Sequence, residues 1–401
     1  MSTDVRARVA VSGAFAAQGF ALMLLLTNLV NVRERYGVSE DTISTAILGV
    51  LLAAAFGTWV ADRVARSRGG SRVALAAGLG LIGVFVPVIA IAPTFATAVV
   101  AFALYGIALG MVDAGTNMQA VAVQRAYGRP LLSSFYAAWS VGGIVAALVS
   151  AVDGDRLAIE PVTVLFLAAT PVAWVAALLV ARDGRRSHDA VPVSADDTPG
   201  THVPWGAVGV LAIAVVAYFA IDNGTQTWST TYLKDTLGAA SSVAPLGAAA
   251  YLGTTLASRL VGDTVVRRWG RVRVVRAASL VGAAGFAVVV LAPVPFVAIV
   301  GFAVAGAGLG LIAPLCFATA GVLAPDHADA VVARLNVFNY VGTLLGAVLL
   351  PVVGTATSFR VAFVLPVVLA LVVFAIAGGF AGRPGASKGE NDPTQRTEVP
   401  A

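Results

Sequence analysis

Charged residues punctuate this chain, and between them lie ten long stretches with no Asp, Glu, Lys or Arg: 9–32, 42–61, 73–112, 130–152, 161–181, 198–221, 236–258, 277–325, 335–359 and 361–382. About 20 apolar residues in helical form cross the hydrocarbon of a bilayer, so eight of these runs have the length of one span. The runs 73–112 and 277–325 have room for two helices each. Pro93 and Pro293 stand where a short turn would divide them. Ten runs with two of them doubled predict twelve transmembrane helices. The short alternating segments of a membrane β-barrel are absent from the pattern. The predicted fold is therefore an all-α membrane protein.

The same skeleton occurs twice. Asp62-x3-Arg66-x2-Gly69-x2-Arg72 returns as Asp263-x3-Arg267-x2-Gly270-x2-Arg273, and at an offset of 200 Pro93, Phe102, Gly106, Gly110 and Gly142 return as Pro293, Phe302, Gly306, Gly310 and Gly342. Such a repeat predicts two pseudo-symmetric six-helix bundles able to rock about a site between them. Residues 1–181 form the first bundle and 204–382 the second. The polar stretch 182–203 reads as a cytoplasmic linker and 383–401 as a disordered cytoplasmic tail.

With both termini placed in the cytoplasm, 20 of the 26 Lys and Arg fall on the inner side and five on the outer side. The remaining one, Arg259, is expected near the inner end of helix 8. The bias sets the orientation. The N-terminal stretch is of full span length with no cleavage pattern, so it reads as a helix that is kept.

Composition narrows the chemistry. The chain is 58% hydrophobic and 12% charged, and its net charge of +5 is spread over short loops, which weighs against nucleic-acid binding. A single cysteine, Cys316, allows no internal disulfide, and His188, His202 and His327 all fall in loops. No metal and no cofactor are expected. No G-x4-G-K-[ST] loop points to a nucleotide, and Gly78-x-Gly80-x2-Gly83 lies inside a predicted helix, where it reads as helix packing.

Asp113 and Asp222 are the two carboxylates deep in predicted spans. An ionised carboxyl is costly in hydrocarbon, so each is expected to face a cavity or a partner and to be able to exchange a proton. Asn117 lies one turn from Asp113. Gln226 and Ser229 share a face with Asp222, as do Asn336, Asn339 and Tyr340 on helix 11. These, with Gln18, Tyr136, Trp139 and Trp228, make a candidate wall for a polyol, with amides for hydroxyls and rings for C–H surface. The plainer role is interhelical bonding and interface anchoring. Asp62, Arg66, Asp263 and Arg267 are candidate gating residues, because an Asp at one helix end can accept hydrogen bonds from a neighbouring helix N-terminus or from arginine.

The paired loops, twelve spans and central linker resemble the major facilitator superfamily, whose loop between helices 2 and 3 has the form G-x3-D-R/K-x-G-R/K-R/K. Asp62-Arg63 match it, while Thr58 and Ala65 hold its glycine positions. A narrower resemblance is to the fucose-permease-like branch and its bacterial inner-membrane relatives. It is carried by Asp113-Ala-Gly-Thr-Asn117, by Gly128-Arg129-Pro130 through Gly142-Gly143, by Asp222-Asn-Gly-x3-Trp228-Ser229, by Gly308-x-Gly310-x3-Pro314 and by Asn339-Tyr340-x-Gly342. Tyr136, Gln124 and Thr227 stand where such relatives often have His, Glu and Asp.

The resemblance implies a secondary transporter in the bacterial cytoplasmic membrane. It would import a small polar solute, such as a sugar, together with protons, with the bilayer as its other partner and a monomer as its working unit. Asp113 is the first candidate proton carrier and Asp222 the second. An exporter of drugs or metabolites is the alternative, though residues 139–146 lack the proline of the G-P-x2-G-G signature of drug antiporters. A non-transporting receptor is a further one.

The topology is directly testable. Single cysteines placed in 182–203 in a Cys316→Ala background should stay unlabelled by impermeant thiol reagents in intact cells. Labelling from outside would overturn the orientation.

Overall fold

The computed structural model describes residues 2–150, 161–185 and 203–381. The first bundle contains α1 (Thr3–Thr27), α2 (Glu40–Ala65), α3 (Gly70–Ile91), α4 (Phe95–Tyr127), α5 (Leu132–Ser150) and α6 (Pro161–Asp183). The second contains α7 (Trp205–Thr236), α8 (Leu246–Trp269), α9 (Arg271–Leu291), α10 (Pro295–Leu323), α11 (Ala328–Ala356) and α12 (Phe359–Ala381). A short helix, Leu29–Tyr36, joins α1 to α2. Most of the predicted linker and all of the predicted tail lie outside the described residues.

Eleven of these helices are long and apolar enough to cross a membrane. The twelfth, α8, is 24 residues long but carries Arg259, Asp263, Arg267 and Arg268. Here the structure corrects the sequence reading. The charge-free run 236–258 is not the helix. Its first third forms a turn through Gly238, at φ 67°, after a π-helical turn at Tyr232–Thr236. α8 therefore starts ten residues later than the run, and Arg259 lies in its middle rather than near its inner end.

Between membrane helices there is little hydrophobic driving force, so close packing of small residues has to hold them together. The repeated glycines do this at equivalent places. A Cβ on Gly106 or Gly110 of α4 would overlap α2 backbone at Val50 and Ala54, and one on Gly306 of α10 would overlap the Tyr251 carbonyl of α8. Gly142 of α5 meets Ala16 of α1, and Gly342 of α11 meets Val216 of α7. Thus α2–α4 and α1–α5 in one half correspond to α8–α10 and α7–α11 in the other. The halves meet through α2 with α11 and α5 with α8, again a symmetric pair. Large apolar side chains such as Leu148, Leu178, Leu291 and Phe296 point outward, as a lipid-facing surface requires.

Gly110→Val should force α2 and α4 apart. Overpacking of this kind typically costs about 1–3 kcal/mol, read as a lower unfolding temperature of the purified protein in detergent. Gly80→Val, where a Cβ meets open space, should leave it nearly unchanged.

Candidate functional site

Two polar clusters occupy the middle of the bundle, one centred on each predicted carboxylate. Asp113 of α4 accepts hydrogen bonds from Gln18 Nε2 of α1 and from the Tyr340 hydroxyl of α11. The second bond crosses between the halves. Thr116 Oγ1 donates to Gln18 Oε1 at 3.5 Å, and Gly19, beside Gln18, lets α1 rest against the Trp139 carbonyl of α5. One turn along α4, Asn117 accepts from the Tyr136 hydroxyl at 2.9 Å and donates to Asn336 Oδ1 at 3.5 Å. Asn336, fully buried, donates in turn to Thr58 Oγ1 at 3.2 Å.

Asp222 of α7 is surrounded by neutral donors. Gln226 Nε2 lies at 2.8 Å, the Tyr251 hydroxyl at 3.1 Å and the Tyr218 hydroxyl at 3.4 Å. The Tyr218 oxygen accepts from Arg259 Nη2 at 2.8 Å. Arg259 also donates from Nη1 to Ser140 Oγ of α5 at 2.8 Å and from Nε to the Gly310 carbonyl at 3.2 Å. Its guanidinium carbon stands 5.5 Å from the centre of the Tyr136 ring, a cation–π contact. The Gly310 bond has a local cause. Pro314 has no N–H to give the carbonyl four residues before it, and the arginine takes that carbonyl. Arg259 and Tyr136 thereby join the two clusters into one network running from Gln18 to Gln226.

The structure brings together Gln18, Asp113, Asn117, Tyr136, Asn336 and Tyr340, and separately Asp222 and Gln226. It places others outside these clusters. Trp228 donates to the Ala347 carbonyl at 3.3 Å and stacks on Phe359, tying α7 to its own half. Asn339 bonds only Thr343, at 3.3 Å. Trp139 is partly buried and packs on the apolar core. Sequence reasoning missed Arg259, Tyr218, Tyr251, Ser140 and Thr58. A signal for Arg259 existed: four residues before Asp263, it takes the repeat position of Thr58, four before Asp62. Both reach the matching glycine carbonyl, Thr58 at Gly110 with 3.4 Å and Arg259 at Gly310.

The gating residues part company in the same way. Asp263 accepts from the backbone amides of Ser133 at 2.9 Å and Ser134 at 3.0 Å, in the first turn of α5 in the opposite half. Gln124 Oε1 takes the two preceding amides, Leu131 at 2.9 Å and Leu132 at 3.3 Å. Four free N–H groups at a helix start thus find side-chain acceptors, and the carboxylate sits at the positive end of the helix dipole. Gly262 allows the approach, because a Cβ there would strike Ser133. Arg267 is exposed and takes no part.

Asp62 pairs instead with Arg66 of its own helix. Its counterpart target, the start of α11, is not available: α11 begins at Ala328, a turn earlier than the repeat predicts, so the amides of Ala333 and Arg334 are already inside the helix. Arg125 adds a second tie at this end of the bundle, donating to the Gly321 carbonyl and, at 2.9 Å, to that of Pro325. Among the described residues no group of three or more His, Cys, Asp or Glu gathers to hold a metal.

Comparison with known proteins agrees with this architecture. The sequence model of the Major Facilitator Superfamily matches residues 210–401. An uncharacterised MFS-type transporter of Yersinia pestis is 29% identical over 346 residues, 86% of this chain and 88% of that protein. An uncharacterised transporter of Sinorhizobium fredii is 26% identical, over 92% of this chain and 96% of its own. Among solved structures, FucP in the outward conformation aligns with a TM-score of 0.77 at 13% identity, covering 95% of this chain and all (100%) of that one. The proton:xylose symporter XylE gives 0.73 at 14% identity, with coverage of 94% and 96%. The second half of the chain thus matches the Major Facilitator Superfamily model, its relatives are MFS-type transporters, and the whole chain has a FucP-like fold.

Asp263→Asn should loosen the tie between α8 and α5, while Asp62→Asn removes only a local pair. Loss of a carboxylate from a helix N-terminus is worth about 1–2 kcal/mol, a shift of roughly 5–30-fold in the balance of conformations. A reporter cysteine at Ser133 should therefore label faster in the Asp263 variant than in the Asp62 variant. Equal rates would show that the cap does not hold the halves together.

Proposed function

We propose that this transporter is a proton-coupled symporter that moves a small, hydroxylated polar solute by alternating access. Asp113 is its proton carrier and the network between the halves its solute site. One observation carries the reading: a single carboxyl, Asp113, is bonded at once to α1 of its own half and, through Tyr340, to α11 of the other. Its protonation state is thereby tied to whether the halves are joined at mid-membrane. A protonated carboxyl can accept fewer bonds than a carboxylate, so proton uptake and separation of the halves favour one another.

The amides of Gln18, Asn117 and Asn336, which now bond one another or Asp113, are the groups a solute hydroxyl would take over. Two structural neighbours support the class: FucP is described as a fucose:proton symporter of E. coli and XylE as a proton:xylose symporter. In this reading the chain works in the bacterial inner membrane with residues 1–181 and 204–382 as its moving bodies and both termini cytoplasmic. The Asp263 cap and Arg125 close the cytoplasmic end in the conformation described. Export is disfavoured, because α5 lacks the proline of the antiporter signature.

Asp113→Asn retains shape and hydrogen bonding but cannot release a proton. In proteoliposomes it should abolish accumulation driven by a pH gradient while leaving counterflow exchange measurable. Asp222→Asn is expected to weaken transport less. Uphill accumulation by the Asp113 variant with none by the Asp222 variant would move the proton site to α7. Retention by both would overturn proton coupling through these carboxyls.

A further inference from the structure

Arg259 is the least expected group in the membrane interior. It is 5% exposed, and it lies in the middle of α8 at the meeting of both halves. A guanidinium cannot shed its charge, so burying it is costly unless an anion is near. Yet it makes no ion pair: its partners are two hydroxyls, one backbone carbonyl and the face of a ring. Asp222, the acid on the neighbouring helix, is reached only through the Tyr218 hydroxyl and is already engaged by Gln226 and Tyr251. Of the five N–H donors of a guanidinium, three are in use, one on each nitrogen. Each terminal nitrogen retains one, and charge-assisted donors of this kind suit the oxygens of a carboxylate.

We propose that the transported solute carries a carboxylate and that Arg259 is its ligand. This rests on the symport reading above and narrows its substrate to small hydroxycarboxylates, of the sugar-acid class, with the carboxylate on Arg259 and hydroxyls on the Asn117 and Asn336 amides. Tyr136 connects the two regions, its hydroxyl on Asn117 and its ring against Arg259, so one small molecule spans both. A single guanidinium with Asp222 one hydroxyl away suits a singly charged carboxylate better than a phosphate. Charge balance fits too. A carboxylate that enters with one proton leaves the net charge of the site unchanged, whereas a neutral solute that enters with a proton does not.

The test uses purified full-length protein and five probes: galacturonate, gluconate, galactose, glucitol and the methyl ester of galacturonate. The two acids should raise the unfolding temperature of the wild type. The neutral sugar, the polyol and the ester should do so only at concentrations at least about tenfold higher, the worth of a charge-assisted hydrogen bond. This comparison needs no variant to fold. Arg259→Gln should then lose the preference for acid over ester, and Arg259→Lys should keep part of it.

The proposal falls if neither acid stabilises the wild type, if the ester does as well as the acid, or if Arg259→Gln binds acids as tightly as the wild type. Transport in proteoliposomes separates it from the reading beneath it. Acids that bind but are not concentrated by a pH gradient sink the symport and leave the anion site standing. A neutral sugar concentrated equally by the wild type and Arg259→Gln sinks the anion site and leaves the symport.

Discussion

Charge in hydrocarbon has to be answered from within the protein, and most of what is distinctive in this structure is arranged around that demand. Asp113, Asp222 and Arg259 all lie where lipid can offer nothing. Their answers come largely from neutral groups, the hydroxyls of tyrosines and serine and the amides of Gln18 and Gln226, so the charges are solvated without being cancelled. A direct ion pair at short range would be hard to break. Hydroxyl partners can be exchanged one for another, so such a network can rearrange without pulling opposite charges apart.

The two halves show how one scaffold is put to different uses. Close packing is conserved between them: glycines at equivalent positions hold α2 against α4 and α8 against α10, and α1 against α5 and α7 against α11. The polar residues built on that packing differ. Thr58 and Arg259 occupy matching places and reach matching carbonyls, one neutral and one cationic. Asn336 bonds Thr58, while its repeat equivalent, Tyr136, lays its ring on Arg259. At the loops, Asp263 caps a helix of the other half and Asp62 does not, because α11 starts one turn too early. Symmetry of backbone therefore coexists with asymmetry of charge, and the interface has a cationic side and a neutral side.

Much of this was legible in the sequence, and the reasons it stops are physical. Charge spacing reveals spans because hydrocarbon excludes charge, and the repeat reveals two bundles. The pairing of Asp113 with Asn117, and of Asp222 with Gln226, follows from helical periodicity alone. The cap at Asp263 followed from the chemistry of helix ends, though not which helix it would cap. Charge spacing failed at α8, where it took the charged residues for a loop and so set Arg259 near a helix end. Two of the tyrosines were invisible for another reason. Tyr218 and Tyr251 read as ordinary apolar positions, and only tertiary contact discloses that their hydroxyls converge on one carboxylate.

The polarity of α8 also bears on how the protein is made. An arginine or aspartate near the centre of a helix opposes its transfer from the translocon into lipid by about 2.5–3.5 kcal/mol, and α8 carries both Arg259 and Asp263. Alone it is a poor candidate for insertion. Tyr218 on α7 and the Gly310 carbonyl on α10 provide partners from its own half, but Ser140 and the α5 amides belong to the half synthesised earlier. The first bundle is thus in place to receive α8 as it emerges. The contacts that join the two halves in the finished protein would also serve, as the chain is made, to bring its least hydrophobic helix into the bilayer.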